Sequence, residues 1–213
     1  VKTVTVIDYG MSNLRSVSKA LEHVAGKNWH VNVSQSPHDI VKADKVVFPG
    51  QGAIAHCMQV LTEQHLTEVI VTSLKTKPFL GICLGLQSLL KYSEENGGVN
   101  GFNHFAGEVK RFPTPLLEEN SGERLKIPHM GWSPVHWVQP HPLWQGIPDN
   151  SRFYFVHSYY VAPRDEAVTA GQTCYGSVCF TSAAARDNVF AVQFHPEKSQ
   201  KNGLTLLENF LDW

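Results

Sequence analysis

The stretch Lys77-Pro78-Phe79-Leu80-Gly81-Ile82-Cys83-Leu84-Gly85-Leu86-Gln87 holds the most distinctive chemistry in the chain. An apolar run, then Gly-x-Cys-x-Gly, then a helical pattern is the form of a nucleophile elbow with cysteine in place of serine. A sharp strand-to-helix turn brings neighbouring backbone close, so small residues are wanted at Gly81 and Gly85. Cys83 then sits at a helix N-terminus, where free N–H groups and the dipole favour the thiolate. The N–H of Leu84 points at whatever charge develops beside the sulfur. A free cysteine is more often an inert packing residue. Cys57, within an apolar helical pattern, and Cys174 and Cys179, on late strands without metal-ligand spacing, read that way. All four are expected to be free thiols in a reducing compartment, with the cytoplasm as the default location.

A thiol nucleophile needs a proton acceptor, and 11 histidines are available. Context selects His195. The apolar run Val189–Phe194 ends in His195-Pro196-Glu197, so a strand fixes the histidine's backbone while its ring faces a cleft. Pro196 stops simple continuation of a sheet ladder. Glu197 can turn back and hold the imidazole in one tautomer, the third role of a triad. Alone, His-x-Glu is more often a surface pair. Zinc ligation is the other possibility, but no HExxH or Cys/His cluster accompanies the pair, so neither metal nor cofactor is expected.

The scaffold around these groups is partly legible. With 213 residues, 42% of them hydrophobic, the chain can bury a sizeable core in one domain, residues 1–213. Its 18 basic and 19 acidic residues leave a net charge of −1, which argues against a nucleic-acid binder. No apolar run reaches the length of a membrane helix, and VKTVTVIDYG reads as a strand and not a signal peptide.

In the first half, Val4–Ile7, Val31–Val33, Lys45–Phe48 and Pro78–Ile82 read as strands. Residues 13–24 (with Ser12 as N-cap), Ala53–Leu61, Leu66–Leu74 and Leu84–Tyr92 read as helices. Such alternation implies βαβ units and a mostly parallel sheet. In the second half Glu108–Phe112, Arg124–Ile127, Val135–Val138, Arg152–Val161, Val168–Tyr175, Val178–Ser182 and Val189–Phe194 read as strands, and Leu204–Leu211 as a helix. The fold class is therefore α/β, a mostly parallel central sheet with flanking helices and antiparallel strands added late.

The elbow together with Phe194-His195-Pro196-Glu197 resembles the class I (triad) glutamine amidotransferases. The likeness runs along nearly the whole chain through Asp8–Leu14, Pro49-Gly50-Gln51-Gly52-Ala53, Ile127-Pro128-His129-Met130-Gly131-Trp132 and Phe155-Val156-His157-Ser158-Tyr159. Within the family it is similar to the glutaminase subunits of histidine biosynthesis, which dock on a (βα)8-barrel cyclase subunit. The first segment and Pro128–Trp132 set it apart from anthranilate, aminodeoxychorismate and GMP synthetase relatives.

The resemblance implies that Cys83 attacks the side-chain amide of glutamine, that His195 moves the proton and that Glu197 orients His195. It implies an oxyanion hole from Leu84 and from Gly50, Gln51 and Gly52, in a loop able to rotate a peptide; some family members carry Val at the Gln51 position. Losing one such donor costs roughly 3 kcal/mol. Gln87, Ser158 and Tyr159 match glutamine-contacting positions. Asn13, Met130, Trp132 and Lys198 lie on or near the implied docking face, with a core location the other reading for Trp132. The cyclase activity is expected on another polypeptide that receives ammonia. The alternatives are the glutaminase subunit of another amidotransferase such as anthranilate synthase, a different cysteine hydrolase, or a non-enzymatic α/β domain.

Overall fold

A computed structural model describes residues 1–11 and 13–213; Ser12, expected as a helix N-cap, lies outside the described residues. The first half alternates as its apolar spacing requires: β1 (Lys2–Ile7), α1 (Leu14–Val24), β2 (Trp29–Ser34), α2 (Pro37–Lys42), β3 (Lys45–Gly50), α3 (Ile54–Glu63), α4 (Thr67–Thr76), β4 (Phe79–Cys83) and α5 (Leu84–Gln87). The strands pair in parallel, β1 with β2 and β3, and β3 with β4. β3 and β4 are buried along their whole length, as expected of central parallel strands covered on both faces.

The second half contributes β5 (Leu90–Ser93), β6 (Val99–Asn100), β7 (Phe105–Arg111), β8 (Leu116–Leu117), β9 (Arg124–Leu125), β10 (His129–Trp137), β11 (Ser151–His157), β12 (Tyr159–Pro163), β13 (Thr169–Tyr175), β14 (Val178–Arg186), β15 (Val189–Val192) and α6 (Gln200–Asp212). The main sheet runs β2-β1-β3-β4-β15-β14-β12-β7-β5-β6, with β10 branching to β11 and β13. The last strand of the chain thus lies in parallel beside β4, with Val192 opposite Ile82. Alternate residues of this pair feed opposite cores. Leu80, Ile82, Phe190 and Val192 pack on the α1 and α6 side, whereas Phe79, Val189 and Ala191 pack on the side of α3 and α4. Among the described residues, no helix is long and apolar enough to cross a membrane.

Three expectations need correction, and one helix was not expected. The helix expected over Leu84–Tyr92 stops at Gln87, and Leu90–Ser93 becomes β5, paired in parallel with β7. Sheet pairing overrides the helical spacing there. The run expected as one strand over Arg152–Val161 breaks at Ser158 into β11, which pairs with β10, and β12, which pairs with β7 and β14. α2 was not among the expected elements; Pro37 opens it, and proline is well suited to the first helical position. Finally, Cys174 and Cys179 are not free thiols. They face each other across the β13–β14 hairpin, Cα–Cα 3.9 Å, and form a disulfide. The free thiols among the described residues are Cys57 and Cys83.

Candidate active site

The elbow is built by close backbone contact. Gly50 at the end of β3 sits opposite Cys83 at the end of β4. A Cβ on Gly50 would lie 2.6 Å from the Leu84 Cβ and 2.8 Å from the Tyr9 hydroxyl, and one on Gly85 would run into the Phe48 carbonyl oxygen. Glycine at both positions lets β3, β4 and α5 meet. Cys83 itself has φ 54° and ψ −107°, a conformation costing a non-glycine residue about 1–3 kcal/mol. That strained turn aims the side chain off the sheet and toward the cavity. α5 spans four residues, so its contribution at the sulfur is local N–H groups and not the dipole of a long helix.

His195 reaches the same place from β15. Its backbone N–H donates to the Tyr154 carbonyl at 2.9 Å, which locks the chain just beyond the strand. Nδ1 lies 2.7 Å from Glu197 Oε1, both side chains fully buried. A carboxylate only accepts, so Nδ1 carries the proton. Nε2 is buried, and among the described residues it has no hydrogen bond of ordinary geometry. Burial alone would lower the His195 pKa, but the charge on the adjacent Cys83 sulfur, reinforced by Glu197, raises it well above the ordinary histidine value. Burial likewise would raise Glu197, yet the hydrogen bond and charge of His195 and a donor from Asn13 hold it below the usual carboxylate range. Asn13, expected on or near a docking face, is buried here, and its Nδ2 donates to Glu197 Oε1 at 2.6 Å. The order Asn13–Glu197–His195–Cys83 can fix one imidazole tautomer and move a proton at sulfur.

A cavity of about 480 Å³ opens over Cys83, a size suited to a small metabolite. Gln51, Gly52, Leu84, Gln87, Ser158 and Tyr159 all line it, which brings together the segments singled out in the sequence. Gly52 has φ +87°, so this turn uses a backbone region that other residues avoid. Gln87 Nε2 donates to the Tyr159 carbonyl at 3.0 Å and to Gln193 Oε1 at 3.1 Å. Lys198 also lines the cavity, and its Nζ lies 6.0 Å from the Tyr154 ring. Trp132 contacts the same ring at 6.0 Å and is 41% exposed, so it is not a core residue; Met130, two residues earlier on β10, is 61% exposed.

Sequence reasoning passed over Glu95 and Gln193. Glu95 lines the cavity, accepts from the Ile54 N–H at 3.2 Å and has its carboxyl pKa raised by burial. In the sequence it stands in a Glu-Glu-Asn-Gly-Gly loop that carries no local signal. Gln193 reads there as one polar residue in an apolar strand, and that oddity is the signal that could have found it.

The family model for class-I glutamine amidotransferases matches residues 5–213, and the chain belongs to that family. A solved glutamine amidotransferase shares the fold at a TM-score of 0.71 and 15% identity, covering 98% of this chain and 97% of that one. A putative GMP synthase component from Thermoplasma acidophilum does so at a TM-score of 0.68 and 17% identity, covering 99% and 92%. Within the class the likeness narrows. The imidazole glycerol phosphate synthase subunit HisH of Dechloromonas aromatica is 56% identical over 212 residues, 100% of this chain and 97% of its own length. That of Aromatoleum aromaticum is 56% identical over 211 residues, 99% and 98%. The chain is a member of the HisH group of glutaminase subunits, and the anthranilate-type alternative is not favoured.

Proposed function

We propose that Cys83, His195 and Glu197 hydrolyse glutamine to glutamate and ammonia. The Cys83 thiolate adds to the side-chain amide carbon, and the carbonyl electron pair moves to oxygen. The Leu84 N–H and a peptide N–H of the Gly50-Gln51-Gly52 segment receive that oxyanion, the latter after rotation of its peptide. Collapse breaks the C–N bond as His195 Nε2 delivers a proton to the departing nitrogen, leaving ammonia and a thioester. Water, deprotonated by His195, then adds to the thioester, and the thiolate leaves with glutamate as product. Gln87, Ser158 and Tyr159 hold the substrate, with Glu95 placed to meet its ammonium group. No metal or cofactor takes part in this reading.

One observation carries it: an imidazole whose Nδ1 is tied to a buried carboxylate interacts with the Cys83 thiol, and both groups line one cavity. The test is Cys83→Ala in the assembled synthase. Glutamine-dependent turnover is expected to vanish while turnover on added ammonia persists; loss of both overturns the assignment.

The partner is the cyclase subunit of imidazole glycerol phosphate synthase, a (βα)8-barrel that receives ammonia in a heterodimer. Exposed Met130 and Trp132 support a docking face, and a large aromatic at such a place is the usual anchor of an interface. Lys198 borders it through the Tyr154 ring, which Trp132 also contacts. The site of action is the cytoplasm. The Cys174–Cys179 bridge is the feature that runs against this location.

A further inference from the structure

We infer that the side-chain amide of Gln193 holds the Cys83 sulfur in its reactive position, and that a chain of hydrogen bonds running back to Tyr159 fixes which end of that amide faces the sulfur. This rests on Cys83 being the nucleophile. Gln193 is fully buried, and its backbone N–H donates to the Ser182 carbonyl at 2.9 Å. Its Nε2 lies 3.6 Å from Cys83 Sγ, an ordinary length for an N–H donor on the large sulfur atom. Its Oε1 lies 3.1 Å from Gln87 Nε2.

The two ends of a glutamine amide look alike, so direction has to come from the partners. The fixed point is the Tyr159 carbonyl, which can only accept. Gln87 meets it at 3.0 Å and must therefore present its NH2 group. The same NH2 faces Gln193, so Gln193 must present oxygen to Gln87 and NH2 to the sulfur. The far side of Tyr159 is equally determined. His157 Nδ1 lies 2.8 Å from the Tyr159 carbonyl and must donate to it. His157 Nε2 is then bare and accepts from His129 Nδ1 at 2.9 Å. His129 Nε2 is bare in turn and accepts from the Ser133 hydroxyl at 2.8 Å. Burial keeps both histidines neutral, and with neutral rings each link has one direction. The amide oxygen that a mirror-image assignment would aim at Cys83 is excluded.

An N–H donor at the sulfur favours the thiolate over the thiol and holds the side chain on the cavity side of the elbow. It also divides the labour around Gln87. Both Nε2 protons of Gln87 face protein acceptors, so Gln87 meets substrate through its oxygen, as an acceptor.

The test uses the cyclase-bound protein and two variants, Gln193→Met, which removes both polar ends, and Gln193→Glu, which keeps the acceptor for Gln87 but sets oxygen against the sulfur. The readouts are the pH profile of Cys83 alkylation by iodoacetamide, followed by mass spectrometry, and glutamine-dependent kcat and KM. Both variants are expected to move the alkylation midpoint up by about one pH unit or more, and to lower kcat at least tenfold with KM changed less than threefold. Gln193→Glu is expected to show the larger shift. An unmoved alkylation profile overturns the inference, as does loss of folding by circular dichroism in both variants, which would make the residue structural. If only the methionine variant unfolds, the glutamate variant decides by the same readouts. Cys83→Ala is run beside them: full glutamine activity there sinks the nucleophile itself, whereas an inactive Cys83→Ala with an unmoved Gln193→Met sinks this inference alone.

Discussion

Cys57 and Cys83 are both free and both buried, yet their surroundings make them opposite kinds of thiol. Cys57 lies on α3 in an apolar cluster beside Tyr9, and burial pushes its pKa up to about 12. Cys83 also belongs to an apolar element, the end of β4, but it stands at a strained turn with an imidazole and an amide donor against its sulfur. Burial alone makes a thiol inert; burial beside a cation and a directed N–H suits it to the proposed role of nucleophile. What separates the two is the neighbouring strand and not the local hydrophobicity.

The sharpest way to break this contrast is to exchange the fates of the two thiols. Cys83→Ala is expected to reduce glutamine hydrolysis by about 10⁴-fold or more, as loss of a covalent nucleophile does. Cys57→Ala should leave turnover within about twofold and lower stability by roughly 1 kcal/mol through a small cavity. Measured glutamate release and denaturant melts check both, and a dead Cys57→Ala would dissolve the distinction. Next in size, Glu197→Gln keeps a hydrogen-bond partner for His195 but lets the imidazole take the wrong tautomer, and kcat should fall by about 10²–10⁴-fold. Asn13→Ala removes a donor from the same carboxylate, and a loss of about tenfold in kcat is expected from steady-state kinetics.

A pH titration sharpens the comparison at the level of the whole fold. Burial lowers His104, His129 and His141 to about 4, and His157 to about 3. Between about pH 6.5 and 4 the unfolded chain binds protons that the folded chain refuses, so stability falls as pH drops through that window. His195 has the opposite sign: its raised pKa contributes stability below about pH 6.5 that is lost as pH rises through the folded value. Glu197, with a lowered pKa, contributes above its ordinary value and loses that contribution in acid. Urea melts at pH 7, 6 and 5 should show falling midpoints with a net uptake of about three protons on unfolding; a flat profile would mean that the buried histidines are already charged. The smallest effect concerns the hairpin. Thiol titration of the denatured, unreduced protein should count two thiols, Cys57 and Cys83, and four after reduction, with little change in glutaminase activity.

The proposed nucleophile and its proposed base could be singled out because each lies in a short segment with distinctive neighbours: two glycines around Cys83, and a strand end followed by Pro196 and Glu197 around His195. The parallel half of the sheet was legible for a related reason, since its strands are buried on both faces and read as apolar runs. Asn13, Gln193 and Glu95 were not, because their roles depend on which strands become neighbours. Asn13 meets a carboxylate from the other end of the chain, and Gln193 meets Cys83 because β15 inserts beside β4. The strand over Leu90–Ser93 shows the same limit: its spacing is helical, and the waiting edge of β7 decides otherwise.

That insertion of β15 between β4 and β14 also sets a schedule for biosynthesis. The sulfur leaves the ribosome early, while the imidazole emerges only after most of the chain has been translated. A nascent or prematurely terminated polypeptide that stops short of β15 therefore carries Cys83 without His195, and under the proposed mechanism does not consume glutamine.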